Sequence, residues 1–211
     1  MEKPLLFLLL LLLATSCNGQ PNPQMAAPAD RPVGGPCEGC EALYEWGNKV
    51  LSPTDTLPDF GEEGTRLLLT GIIYQPDGKT PAEGVILYIY HTNAQGRYPT
   101  RGDEEGWARR HGYLRGWIKT GPDGRYRFYT LRPGAYPGRT EPAHIHATLK
   151  PPGYSAYYID DFVFADDPLL TKAQRERAPR GSSGLLQLWQ EGALWLGERD
   201  IVLGLNIPGY D

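Results

Sequence analysis

Arg66-Leu67-Leu68-Leu69-Thr70-Gly71-Ile72-Ile73-Tyr74-Gln75-Pro76-Asp77-Gly78, continued by Gly84-Val85-Ile86-Leu87-Tyr88-Ile89-Tyr90-His91, is the stretch that decides the fold. Its two runs, 66–75 and 84–91, are aliphatic, β-branched and aromatic, and Pro76-Asp77-Gly78 lies between them. Proline presets the φ of a turn, aspartate bonds back to the backbone, and glycine takes the positive φ, so the flanking runs read as strands. The same grammar recurs where 114–120 and 125–130 flank Gly121-Pro122-Asp123-Gly124. Further strand candidates are 143–149, 157–164, 185–190, 194–198 and 200–207. Helical signals are weak: Leu43, Trp46 and Val50 within 41–51, and one short helix within 167–177. Short strands at intervals of roughly 8–12 residues with turn signals between them predict an all-β, antiparallel sandwich or barrel with long loops and little helix.

Composition agrees. Gly and Pro number 26 and 20 in 211 residues, high enough for a loop-rich chain. At 40% hydrophobic the chain can still bury a core of its own. With 21 basic against 25 acidic residues the net charge is −4, which argues against nucleic acid as a partner. Tyrosine stands out, with 13 copies against 4 histidines.

The first 16 residues read as a secretory signal: Lys3, a leucine-rich run to Leu13, then Ala14-Thr15-Ser16 before Cys17. The run is too short for the roughly 20 residues that span a bilayer. Small residues leading into Cys17 resemble a bacterial lipobox, so Cys17 is expected to carry lipid and anchor an extracytoplasmic protein to a membrane. Residues 17–36 are rich in Pro, Gly, Ala and Asn and read as a tether, leaving 37–211 as the folded domain. Cys37 and Cys40 form a C-x-x-C pair. A redox pair would need a thioredoxin-like strand–helix context, and half a zinc site would need a second pair of ligands nearby. A structural disulfide in an oxidising compartment is the favoured reading.

The strongest chemical signal is His144-Ile145-His146 inside a strand candidate. Side chains at i and i+2 of a strand share a face, so the two imidazoles stand together while Ile145 points away. Tyr136 lies upstream in the turn-rich Leu131-Arg132-Pro133-Gly134-Ala135-Tyr136-Pro137-Gly138, and Tyr98 lies just past a strand end in Asn93-Ala94-Gln95-Gly96-Arg97-Tyr98. Two phenols and two imidazoles suit a hard, highly charged transition metal. Free tyrosine titrates near pH 10, so binding must expel the phenol proton, which a trivalent ion does far more readily than Zn(II). Two tyrosinates and a hydroxide would balance Fe(III).

With those pieces, the chain resembles the intradiol ring-cleavage dioxygenases, the family of catechol 1,2- and protocatechuate 3,4-dioxygenases. The resemblance covers about 67–149 and, more loosely, the chain to its end. It runs from the strand-turn-strand leading to Gly96-Arg97-Tyr98, through Leu114-Arg115-Gly116 and Asp123-Gly124-Arg125-Tyr126-Arg127-Phe128. It continues to Pro133-Gly134-Ala135-Tyr136-Pro137 and Pro142-Ala143-His144-Ile145-His146. It implies Fe(III) held by Tyr98 and Tyr136 as equatorial and axial tyrosinates, with His144 and His146 as the histidine ligands. It also implies a small aromatic diol as substrate, cleaved with O2 to a muconate-type diacid, with Tyr136 giving way to the diol and acting as a base. The lipobox and the cysteine pair suggest a secreted, lipid-anchored branch.

Two departures stand out. The family pattern has Arg three residues before the first ligand histidine, where this chain has Glu141. That reversal of charge is unfavourable beside an anionic substrate and leaves Arg97, Arg101 and Arg139 as candidate cations. The pattern also has an acid in the strand before Tyr98, where this chain has Tyr88-Ile89-Tyr90. An inactive iron-binding homologue is therefore a second reading. A transthyretin-like binding module, which shares the strand–turn–strand opening at 71–90, is a third. His91 and His111 read as ordinary hydrogen-bonded residues. Trp107, Trp117, Tyr113 and Tyr129 are candidates for a pocket wall or the core. Asp160, Asp161, Asp166 and Asp167 read as solvated strand ends ahead of a calcium site.

Overall fold

The computed structural model describes residues 29–210. The signal segment, the lipidation candidate Cys17 and most of the tether lie outside them. In chain order a short 3-10 turn (Cys40–Tyr44) is followed by strands β1 (Thr54–Thr56), β2 (Arg66–Tyr74) and β3 (Ile86–His91), then helix α1 (Ala108–His111). Next come β4 (Arg115–Lys119), β5 (Arg125–Leu131), β6 (His144–Lys150), β7 (Tyr157–Tyr158) and β8 (Phe162–Phe164), then helix α2 (Lys172–Glu176). The chain finishes with β9 (Leu185–Leu186), β10 (Leu188–Glu191), β11 (Leu194–Glu198) and β12 (Ile201–Val202).

The strands form two sheets: β1-β5-β2-β11-β10 with β12 beside β2, and β4-β3-β6-β8-β9 with β7 beside β6. The core lies between them, and strand alternation explains why. Leu87 and Ile89 of β3, Ile145, Ala147 and Leu149 of β6, and Phe162 and Phe164 of β8 are buried in one cluster. Across from them, in the same cluster, lie Leu67, Leu69 and Ile73 of β2 and Tyr126 and Phe128 of β5. The outer face of the second sheet therefore presents Tyr88, Tyr90, His144 and His146. Part of it is roofed by a second small cluster containing Cys40, Ala42, Leu43, Tyr88 and Trp117. Cys37 and Cys40 are joined as a disulfide in this roof.

The all-β expectation of a sandwich or barrel matches the structure, which has two sheets, but the sheets are mixed and not purely antiparallel. The strands that flank the Asp-Gly turns, β2 and β3, and β4 and β5, pass from one sheet to the other and pair antiparallel across the repeat, β2 with β5 and β3 with β4, whereas β1–β5, β2–β11, β2–β12 and β8–β9 run parallel. Turn signals report only neighbours in the chain, and the parallel partners are far apart in it. The run 157–164 also divides, into β7 and β8, at Asp160-Asp161. The expected tether to Pro36 is too long. Asp30 pairs with Lys150 at 3.0 Å, Arg31 N donates to Gly153 O at 2.9 Å, and Val33 joins the core. Val33 offers apolar surface that the core takes up, so the folded body begins by Asp30.

A buried polar chain runs beneath the site. His91 Nδ1 lies 2.7 Å from the Thr92 carbonyl, and Nε2 lies 2.7 Å from Thr130 Oγ1, which also meets Asp59 at 3.1 Å. A carbonyl only accepts, so the His91 proton sits on Nδ1, and the Thr130 hydroxyl has one proton for two acceptors. Burial pushes the Asp59 carboxyl up to about 6, against the Thr130 and Leu131 hydrogen bonds, and burial pushes His91 down to about 4. His111 is likewise lowered to about 4 by burial and by Arg115.

These shifts act on stability in opposite directions. Between pH 6.5 and 4 the unfolded chain takes up histidine protons that the folded protein refuses, so acidification destabilises, by up to about 3 kcal/mol for His91. Asp59 does the reverse: its folded form holds a proton that the unfolded form has lost, so its contribution is present below its unfolded value and disappears as pH rises through 6. In metal-free protein, Asp59→Asn is expected to steepen the loss of stability between pH 6.5 and 4, as measured by urea unfolding. An unchanged slope would contradict this reading.

Candidate metal centre

Four side chains from three stretches meet on the outer face of the second sheet. Strand β6 supplies two, because its period-2 geometry turns His144 and His146 outward while Ile145 is fully buried. The loop after β3 supplies Tyr98 and the loop between β5 and β6 supplies Tyr136, both half-buried. Tyr98 Oη lies 2.5 Å from Tyr136 Oη and 2.8 Å from His146 Nε2. His146 Nε2 lies 3.3 Å from Tyr136 Oη and 3.2 Å from His144 Nε2.

The two tyrosine loops are locked to each other through their backbones. Gly134 N donates to Asn93 O at 2.9 Å, and Thr92 Oγ1 donates to Gly134 O at 2.8 Å. Asn93 Oδ1 accepts from Gln95 N and Arg97 N, each at 3.1 Å, which winds the Tyr98 loop into a tight turn. Gly96 sits at φ 71°, where a Cβ would collide with the Ala135 carbonyl, and a Cβ at Gly134 would collide with the Ala94 carbonyl. Only glycine permits this approach.

Hydrogen bonds behind the rings fix which nitrogens face the centre. His144 Nδ1 donates to Pro142 O at 2.7 Å, and His146 Nδ1 meets Asp161 Oδ1 at 3.2 Å. Both Nε2 lone pairs are thereby left free on the phenol side, the tautomer that metal-binding histidines need. Tyr90, opposite His146 across the β3–β6 pair, stacks on its ring at 4.4 Å, and His111 stacks on Tyr90 at 3.7 Å. Tyr88, where the family pattern has an acid, bonds His111 Nδ1 at 2.8 Å.

The donor set fits a metal ion. Bonds of about 2.0–2.2 Å place neighbouring donor atoms about 3 Å apart; here His146 Nε2 lies 2.8–3.3 Å from each of the other three atoms, and the two phenol oxygens are 2.5 Å apart. Asp161, His144 and His146 also offer three ligand-type atoms within 4.8 Å of one another. However, Asp161 meets His146 through the nitrogen facing away from the phenols, so it serves as the acceptor behind a ligand. Burial, followed by the hydrogen bond and charge of Tyr136, holds the Tyr98 phenol well above its ordinary range. Burial, then Asp161 and Glu141, raises Tyr136 against the bond from Tyr98. Burial opposes ionisation of Asp161, but the bond from His146 and the charges of His146, His144 and Arg199 outweigh it and leave the carboxyl lowered. A multivalent cation would reverse the balance at the phenols.

A cleft of about 290 Å³ opens beside the four atoms. It is lined by Tyr136, His144 and His146, but not Tyr98, and its apolar walls include Val163, Leu170 and Leu185. None of Arg97, Arg101 and Arg139 lines it. Arg101 lies over Tyr113 at 4.3 Å instead, and the cations at the cleft are Arg175 and Arg177. Sequence reading missed these because α2 and its exit return to the site only through the β6–β8 pairing. It missed Asp161 for the same reason: with Ile145 opposite Phe162, continuing the register sets His146 opposite Asp161. The other acids of that cluster have separate partners, Asp160 on Arg177, Asp166 on Arg132 and Asp167 on Ala143 N. The wall is held by buried Arg199, which donates to Asp160 O at 2.6 Å and to Ser182 O at 3.0 Å. His91, His111, Trp117 and Trp107 pack beneath or beside the site.

A family profile described as Dioxygenase matches residues 47–181, a span that includes all four converging residues. The chain is 33% identical over 113 residues to the protocatechuate 3,4-dioxygenase beta chain of Burkholderia cepacia, covering 51% of this chain and 48% of that one. It is 36% identical over 123 residues to catechol 1,2-dioxygenase 1 of Acinetobacter lwoffii, covering 49% and 38%. The chain thus spans half or less of the length of these relatives. Among solved structures, the dioxygenase domain of a dioxygenase–carbohydrate-binding fusion from Streptomyces sp. SirexAA-E superposes with a TM-score of 0.52 at 26% identity. That match covers 74% of this chain and 90% of the other.

Two substitutions test the geometry. Gly134→Ala is expected to part the tyrosine loops, and Asp161→Asn to release the His146 ring, each weakening ferric-ion binding by about 10–100-fold with the fold retained. Iron titration alongside circular dichroism would check this. Unchanged affinity in both variants would contradict it.

Proposed function

The chain belongs to the intradiol ring-cleavage dioxygenases, and on that premise we propose that it is a non-haem Fe(III) enzyme that cleaves catechol-like diols with O2 to muconate-type diacids. Intradiol dioxygenases use non-haem iron. The observation that carries the reading is the convergence of two phenol oxygens and the His144 Nε2 on the His146 Nε2, at 2.8–3.3 Å, with the phenol oxygens 2.5 Å apart. Tyr98, Tyr136, His144 and His146 would hold the metal, which when bound supplies Lewis-acid chemistry that activates the diol toward O2.

The chain's own groups divide the remaining work. Tyr136 borders the cleft and Tyr98 does not, so Tyr136 is the phenol in position to receive a proton from an entering diol. Tyr98 stays behind it, bonded to His146. Asp161 and the Pro142 carbonyl hold the imidazoles. Val163, Leu170 and Leu185 offer apolar walls to a planar ring and exclude water from the reacting face. At about 290 Å³ the cleft is at the small end of ligand sites and suits one substituted ring.

The protein is further proposed to work outside the cytoplasm, lipid-anchored through Cys17. The lipobox-like Ala14-Thr15-Ser16-Cys17 and the Cys37–Cys40 disulfide, a bond kept in oxidising compartments, support this reading. Among the described residues no helix is long and apolar enough to cross a membrane.

Iron-loaded protein should be coloured by tyrosinate-to-iron charge transfer, and it should consume O2 with catechol while releasing a ring-opened diacid detectable by mass. Tyr136→Phe should lose about a hundredfold or more in turnover and shift the colour. Coloured protein that consumes no O2 with any diol would favour the inactive homologue, and colourless protein that takes up no iron would defeat both. For the anchor, Cys17→Ser should move the protein from the membrane to the soluble fraction; unaltered partitioning would refute it.

A further inference from the structure

Five charged side chains line the cleft: Glu141, Asp160, Asp161, Arg175 and Arg177. Four are engaged. Arg177 pairs with Asp160 at 2.8 Å, Asp161 meets His146 at 3.2 Å, and Arg175 donates to the Ala165 carbonyl at 3.0 Å. Among the described residues Glu141 alone of the five has no hydrogen-bond or ion-pair partner. The lining thus carries three carboxylates against two guanidiniums, one negative charge in excess, and Glu141 is the carboxylate without a partner.

Water solvates this exposed carboxylate cheaply while the cleft is open. The balance changes when a ring enters a space of about 290 Å³, because the ring displaces the water that served the carboxylate. An anion that loses hydration costs free energy unless a cation or strong donors replace it. A diol that gives up protons at the centre adds negative charge nearby and raises that cost. The backbone beside Glu141 is anchored: Ala143 N donates to Asp167 Oδ2 at 2.9 Å, and the Pro142 carbonyl accepts from His144. The carboxylate is therefore tethered at the rim, three residues from His144. No residue of the cleft neutralises it, which leaves that task to the ligand.

We propose that Glu141 is a specificity residue that selects ring diols bearing a cationic, aminoalkyl substituent. The inference deepens the proposed function, resting on it for the diol. Of the cleft cations, Arg177 is paired with the Asp160 carboxylate, while Arg175 is held in place on the neutral Ala165 carbonyl and keeps its charge, so a carboxylated diol is the competing class that the test must include. An ammonium group placed against Glu141 completes the charge pairing of the lining, and the ring keeps its diol edge toward Tyr136 and the histidines.

The test uses iron-loaded full-length protein and three probes: catechol, 4-(2-aminoethyl)catechol and 3,4-dihydroxybenzoate. Anaerobic calorimetry gives binding without turnover, and O2 uptake gives kcat/KM. The wild-type protein is expected to bind the aminoethyl diol about fivefold or more tightly than catechol, as a partly desolvated ion pair would provide. Glu141→Gln should bring that ratio close to one, by weakening the aminoethyl diol and by relieving catechol of the carboxylate's desolvation cost, and Glu141→Arg should invert it in favour of the carboxylate. A ratio unaltered by Glu141→Gln, or a wild-type preference for 3,4-dihydroxybenzoate, would overturn the proposal. A Glu141-dependent binding preference without O2 uptake would uphold it and count against the dioxygenase reading alone. Failure to bind any of the three diols would overturn both.

Discussion

Everything at this site depends on four lone-pair-bearing atoms being held closer together than they would choose to stand. Two phenols and two imidazole nitrogens, with neighbours at 2.5–3.3 Å around His146 Nε2, have only shared protons to mediate between them until a cation arrives. Burial keeps the phenol protons on, and those protons bridge the donor atoms in the place that a cation would take. The fold must therefore impose the arrangement. It does so with a strand whose alternate residues cannot turn inward without displacing Ile145, and with two loops locked at Gly96 and Gly134. Positions preset in this way reorganise little on metal binding.

The sandwich has a division of labour that follows from strand alternation. Inward residues fill one apolar core, and the outward face of the second sheet is free for chemistry because the β3–β6–β8 register aligns Tyr90, His146 and Asp161 across three strands. Each ring of that row is held on a face or an edge by a neighbour: His146 by Tyr90 and Asp161, Tyr90 by His111, and His111 by Tyr88. Catalytic sites commonly sit on loops positioned by a rigid scaffold. Here the scaffold supplies two donors directly and the loops add two more.

Much of this was legible in the sequence, for identifiable reasons. The turn tripeptides at Pro76 and Pro122 carry their own stereochemistry, and His144-Ile145-His146 needs only the period of a strand to place two imidazoles together. Tyr98 and Tyr136 emerged because their motifs resemble those of a known family. What escaped depends on pairing between distant segments. The Asp161 partnership requires the β6–β8 register, Arg175 and Arg177 reach the cleft only through α2 and its exit, and the parallel strands have no local signal. The composition of 17–36 reads as tether throughout and hides Val33, whose burial depends on surface contributed by residues far along the chain.

A crystal structure of the iron-loaded protein, with an anomalous difference map at the iron edge, tests the central claim most directly. The account predicts one iron peak bonded to Tyr98 Oη, Tyr136 Oη, His144 Nε2 and His146 Nε2, with Asp161 hydrogen-bonded to His146 Nδ1 and not to the metal. Iron bonded to Asp161 with either phenol standing free would contradict it.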